Sequence, residues 1–138
     1  MKILVCGGRD YDDFEMVYKA LFLVAERINL PVDEDGTLDA RKLTIIHGAA
    51  RGADSIAAYW GKIYNANVMA FPADWDKHGK AAGHIRNAQM LSEGEPDCIM
   101  FFPGGRGTEN MKRQGREKGI RLIDGEAFAQ QINSEVIK

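Results

Sequence analysis

Cys98-Ile99-Met100-Phe101-Phe102-Pro103-Gly104-Gly105-Arg106-Gly107-Thr108 joins an unbroken apolar run to a loop of three glycines and a hydroxyl. A continuous apolar run of this length suits a strand buried on both faces, as parallel strands are. Glycines let a backbone come close to a ligand. A helix that starts just beyond them presents unpaired N–H groups and a partial positive charge. Three glycines exceed what a tight turn needs, so residues 103–108 read as a loop facing a ligand, with a phosphate expected on the N–H groups of residues 105–108.

Working outward, the same joint recurs. Residues 2–6 form a first strand ending in Gly7-Gly8-Arg9-Asp10, and residues 43–47 a second ending in His47-Gly48-Ala49-Ala50-Arg51-Gly52-Ala53-Asp54. Residues 67–71 and 121–123 complete the strands. Between them lie helical periodicities. Asp12 or Asp13 can cap a helix with Phe14, Val17, Leu21, Val24 and Ile28 in one stripe. Residues 52–64 turn Ala53, Ile56, Ala57, Trp60 and Ile63 inward. Residues 80–92 form a helix that Gly94 and Pro96 end, residues 107–118 another with Gly119 at its C-terminal cap, and residues 127–136 a closing one. Residues 72–77 read as a loop and residues 30–42 as a polar surface excursion or small hairpin. Parallel strands need helical crossovers, which are right-handed. The alternation therefore predicts α/β architecture: a single Rossmann-like, doubly wound domain over residues 1–138, with a mostly parallel sheet of about five strands.

At 138 residues the chain is the size of one ordinary domain. Its hydrophobic fraction of 45% and net charge of −2 are those of a globular protein without general attraction to nucleic acid or an anionic membrane. Any polyanion site must be local. The apolar N-terminal run is too short for a signal peptide or a membrane span, so a cytoplasmic location is expected. Cys6 and Cys98 sit in apolar runs and are expected to be reduced and buried. His47, His78 and His84 lack metal-ligand spacing, so neither a metal nor a cofactor is expected.

In a doubly wound sheet the C-terminal strand ends meet at one edge, where ligands bind at the switch in strand order. Three glycine loops arrive there, each with an arginine (Arg9, Arg51, Arg106) whose planar fork matches phosphate. The candidate ligand-binding residues are Gly7, Gly8, Arg9, Gly48, Arg51, Gly52, Asp54, Pro103, Gly104, Gly105, Arg106, Gly107 and Thr108. For Gly7 and Gly8 a plain turn is an equal reading. Asp54 suits either the dipole of the helix it opens or ribose hydroxyls. Asp74 and Trp75 follow the third strand, where Trp75 can stack a base or pack the shell. Arg113, Arg116 and Lys118, with Glu117, read as a solvated face. Neither Gly-x-Gly-x-x-Gly nor Gly-Lys-Ser/Thr occurs at these loops, which argues against a dinucleotide dehydrogenase or a P-loop ATPase.

Residues 47–54, Phe71-Pro72-Ala73-Asp74-Trp75, Ala82-Gly83-His84-Ile85-Arg86-Asn87-Ala88-Gln89-Met90 and residues 102–108 resemble the YspA-related branch of the SLOG superfamily, from the first strand to about Ile123. That superfamily includes the lonely-guy phosphoribohydrolases, often labelled lysine decarboxylases, and the Rossmann domain of DNA-processing protein A. The resemblance implies a partner that is a nucleotide or nucleotide-derived small molecule, such as a mononucleotide or an ADP-ribose-like compound, bound or sensed rather than necessarily cleaved. It places Arg86, with Asn87 beside it, on the ligand phosphate or ribose. Pairing through helices among relatives implies a homodimer.

The alternative it implies is an N-glycosidic phosphoribohydrolase acting on nucleoside monophosphates, with Arg86 and Glu109 as catalytic candidates. Residues 103–108 match Pro-Gly-Gly-x-Gly-Thr-x-x-Glu, but Met111 stands at the glutamate. A thioether can neither activate water nor offset oxocarbenium charge, so a glutamate at 111 is expected to restore some turnover. Glu109 lies two residues earlier, about 200° round a helix, and substitutes only if the helix starts late. A third reading, single-stranded DNA binding, is opposed by the acidic balance and by the lack of an aromatic-interleaved basic stripe.

Overall fold

The structure, a computed structural model, describes the backbone of residues 1–137 and the side chains of residues 1–131. Its strands are β1 (Lys2–Cys6), β2 (Thr44–His47), β3 (Asn67–Ala70), β4 (Cys98–Phe101) and β5 (Arg121–Asp124). They form one sheet in the order β3-β2-β1-β4-β5, every neighbouring pair parallel. The chain starts at the centre, steps outward to β3, then crosses back over to β4 and β5. Right-handed crossovers put the helices that connect the strands of the two halves on opposite faces, and strand order reverses between β1 and β4. This is the Rossmann-like, doubly wound sheet that the βα alternation predicts.

The helices are α1 (Phe14–Arg27), α2 (Ala53–Ile63), the single turn α3 (Trp75–His78), α4 (Ala82–Gly94), α5 (Arg106–Glu117) and α6 (Gly125–Ile137). Successive β1 residues point to opposite faces. Ile3 and Val5 pack with Val17, Leu21 and Val24 of α1, Ala57 and Trp60 of α2, and Ala129 of α6. Leu4 and Cys6 pack with Met90 and Leu91 of α4 and Met111 of α5. Both cysteines are free and buried. Among the described residues no helix is long and apolar enough to cross a membrane.

Several elements differ from expectation. Asp13 caps α1 by accepting from Met16 N at 3.1 Å, but Phe14 is 57% exposed. The buried stripe rotates toward small residues, Ala20 and Ala25, and α1 lies closest to α6 and α2. Ile63, expected inward, is 45% exposed at the last turn of α2. Residues 72–77, read as a loop, include the start of α3, because the Asp74 carboxylate accepts from Lys77 N at 3.0 Å and starts a turn. A 3₁₀ turn (Gly79–Ala81) precedes α4. That helix runs through Gly94, where a Cβ would stand 3.0 Å from Ile46 Cδ1, and Glu95 takes the left-handed position with φ 51°. The excursion of residues 30–42 is a small hairpin, bridged antiparallel at Val32 and Leu38. Its turn is held by Asp33, whose carboxylate accepts from Asp35 N and Thr37 N, each at 2.9 Å.

Periodicity assigns Leu21 and Phe14 to one stripe, whereas burial separates them. Leu21→Ala is expected to lower unfolding free energy by about 2–5 kcal/mol. Phe14→Ala is expected to change it by less than about 0.5 kcal/mol. Urea unfolding of the two variants checks this.

Candidate functional site

The loops after β1, β2 and β4 pack against one another before they face anything else. Gly8 N donates to Pro103 O at 2.9 Å. A Cβ on Gly104 would overlap Thr108 Oγ1 and come within 2.6 Å of Gly8 N. A Cβ on Gly52, whose φ is +77°, would overlap Gly8 O. One on Gly7 would stand 2.7 Å from Ala53 Cβ. Gly52, Pro103 and Gly104, assigned to the ligand from the sequence, therefore hold loop against loop and do not line the cavity, while Gly7 and Gly8 do both.

That cavity, of about 570 Å³, lies over the ends of β1 and β4, where strand order reverses. The N-terminus of α5 forms one wall. In contrast to Gly104, a Cβ on Gly105 or Gly107 would meet nothing within 4 Å, and no side chain caps the first turn of α5. Arg9, Lys80, Arg86 and Arg106 bring positive charge to the lining, and Asp54 is its carboxylate.

Asp54 is 4% exposed and accepts from Gly48 N at 2.8 Å. Burial pushes its carboxyl up to about 6, against the downward pull of the Gly48 and Ala50 N–H groups and the Arg86 charge. The Arg86 guanidinium donates Nη1 to Gly48 O and Nε to Asn87 Oδ1 at 3.1 Å. Glycine at 48 leaves it room, since a Cβ there would stand 3.0 Å from Arg86 Nε. Asn87 Nδ2 donates to Gly107 O at 3.2 Å and to Asn110 Oδ1 at 3.1 Å. Gln114 Nε2 donates to the same Asn110 oxygen at 2.6 Å. This polar chain ties the second loop to α4 and α4 to the start of α5. His47 is buried, its Nδ1 accepts from Ala49 N at 3.0 Å, and burial followed by the Arg86 charge holds it below the usual imidazole range.

Trp75 lines the cavity half-exposed, with the Arg9 guanidinium carbon 5.4 Å from its ring centroid. Asp74 is the cap of α3 and is absent from the lining. Gly48 and Arg51 border a neighbouring recess instead. Glu109, the candidate catalytic carboxylate, is also outside the lining. Its side chain is 67% exposed and pairs with Lys112 Nζ at 3.2 Å, because α5 starts at Arg106 and not late. Met111 is 1% exposed among Leu4, Met90 and Ile99. A glutamate there would be buried among apolar side chains, a costly place for a carboxylate. Lys80 and His84 also line the cavity, and no motif in the sequence marks them as site residues. They straddle the junction of the 3₁₀ turn with α4, which the helical periodicity does not mark.

The family model described as "YspA, cpYpsA-related SLOG family" matches residues 1–78, which carry Arg9, Arg51, Asp54 and Trp75. The "Gene 61 protein" of Mycobacterium phage D29 is 33% identical over 130 residues, 89% of this chain and 94% of that protein. The solved structure of DNA processing protein A from Streptococcus pneumoniae superposes on 94% of the chain with a TM-score of 0.47 and 14% identity, and the chain spans 60% of that protein's length.

The loop packing implies opposite outcomes at two glycines. Gly52→Ala is expected to cost about 1–3 kcal/mol or more, from overpacking on a left-handed backbone. Gly107→Ala, with open space in the first turn of α5, is expected to stabilise by about 0.5–1 kcal/mol. Thermal unfolding of the two variants checks both signs.

Asp54 titrates higher folded than unfolded, so the stability it contributes is complete below about pH 4 and is lost as pH rises through about 6. Asparagine does not titrate. Relative to the native chain, Asp54→Asn is expected to gain about 2–3 kcal/mol between pH 4 and pH 7. Denaturant unfolding at both pH values measures the gap, and a gap that does not change with pH refutes the assignment.

Proposed function

This chain belongs to the YspA, cpYpsA-related SLOG family, and we propose that it binds or senses a nucleotide or nucleotide-derived ligand in the cavity over β1 and β4. The observation that carries this reading is the junction of an open helix start, the uncapped first turn of α5, with the cations Arg9, Lys80, Arg86 and Arg106 around one cavity. A phosphate there accepts from backbone N–H groups with no Cβ in the way and draws on the helix dipole. Arg106 and Lys80 add charge. Arg86 is already oriented by Gly48 O and Asn87, so little of its freedom is lost on binding.

The rest of a nucleotide has chemistry to meet. Trp75 offers a half-exposed ring for a base, and the Asp54 carboxylate accepts from ribose hydroxyls. Binding is a better reading than N-glycosidic cleavage. Glu109 faces solvent and position 111 is apolar.

Calorimetry with the four nucleoside 5′-monophosphates tests the proposal. Arg106 has no hydrogen-bonded partner among the described residues. Its replacement by alanine is expected to weaken binding by about 1.5–3 kcal/mol, roughly ten- to a hundredfold, at an unchanged melting temperature. No heat with any of them, or equal affinity in the variant, overturns the site. Free base accumulating over hours, followed by chromatography, would replace binding with hydrolysis.

A further inference from the structure

A second recess of about 250 Å³ opens beside the first. Arg9, Arg51 and Arg86 line it together with Trp75 and the backbone of residues 48–50. Arg9, Ala50, Trp75 and Arg86 line both recesses, so the two adjoin as lobes of one site, with Arg9 over the Trp75 ring in their shared wall.

The lobes hold anions by different means. In the larger one the first turn of α5 offers uncapped backbone N–H groups. In the smaller one the amides are already used: Gly48 N and Ala50 N go to Asp54, at 2.8 and 3.5 Å, and Ala49 N to His47 Nδ1. What the smaller lobe presents is guanidinium. Among the described residues no carboxylate lines it, and the one acid within 4 Å of the Arg51 guanidinium is Asp10, 3.8 Å away and almost fully exposed. Such a pair is screened and weak, and leaves the Arg51 fork available. Three arginines around a small recess make it a basic site whose planar forks match an anion.

We propose that the site has two phosphate-holding lobes, and that its ligand class is a nucleotide carrying two separated phosphate groups, one on the α5 amides and one on Arg51 with Arg9 and Arg86. This rests on the nucleotide reading above and narrows it. Arg9, Ala50, Trp75 and Arg86 form the wall that the two lobes share, so a ligand filling both carries its phosphates to either side of that wall. Adjacent phosphates of a diphosphate would share the larger lobe and leave Arg51 unused.

The test is calorimetry of the full chain with a 5′-monophosphate, a 5′-diphosphate and a 3′,5′-bisphosphate of each of the four ribonucleosides. For the favoured base, the bisphosphate is expected to bind at least about tenfold tighter than either the mono- or the diphosphate. Arg51→Ala is expected to bring the ratio of bisphosphate to monophosphate affinity within about twofold of one. The Arg51 side chain is 78% exposed, and an unchanged melting temperature verifies the variant's fold. If the diphosphate gains as much as the bisphosphate, or the ratio survives in Arg51→Ala, the second lobe is refuted while the nucleotide reading stands. If no compound binds in any base series, the nucleotide reading falls and the second lobe with it.

Discussion

The contact between Gly8 and residues 103–104 is the constraint on which the rest of the molecule depends. It joins the loops after β1 and β4, the two strands between which the sheet reverses its order. A side chain on Gly104 would push those loops apart, and one on Gly52 would push the loop after β2 off the loop after β1. Their closeness sets where α5 begins and hence which of its amides stay open. A glycine-rich loop invites the inference that every glycine faces a ligand. Here the glycines divide the labour: Gly52 and Gly104 admit another backbone, whereas Gly105 and Gly107 leave space.

On this frame a line of buried polar groups passes from one loop to the next. Asp54 holds the amides of the second loop, Arg86 its carbonyl, and Asn87 the start of α5 through Gly107 O and Asn110. Buried polar groups are costly unless satisfied, and a satisfied network specifies one arrangement of its members. Asp54 is the member under tension, because desolvation outweighs its hydrogen bonds and raises its carboxyl toward neutrality. An incoming ligand with hydroxyls to donate, or cations drawn closer by a phosphate, would ease that tension. On the proposed reading, structural and binding roles coincide at Asp54 and Arg86.

The sequence by itself determined the α/β alternation, the strands to within a residue or two, and the loops that meet at the sheet edge. These follow from local pattern: apolar runs, helical spacing and glycines at the joints. It also marked Arg9, Arg86, Arg106 and Trp75, whose chemistry suits a nucleotide wherever a fold brings them together. Tertiary structure alone decided the strand order, the outward turn of Phe14 and Ile63, the use of Asp74 as a cap and the exclusion of Glu109 from the cavity. It likewise drew Lys80 and His84 into the lining and put Arg51 on the smaller lobe. The physical reason is that periodicity fixes a residue's angle on its own helix but not the direction in which that helix faces. That direction is set by contacts between residues far apart in the chain, such as Gly8 with Pro103 or Asn87 with Asn110, and by where capping lets each helix begin.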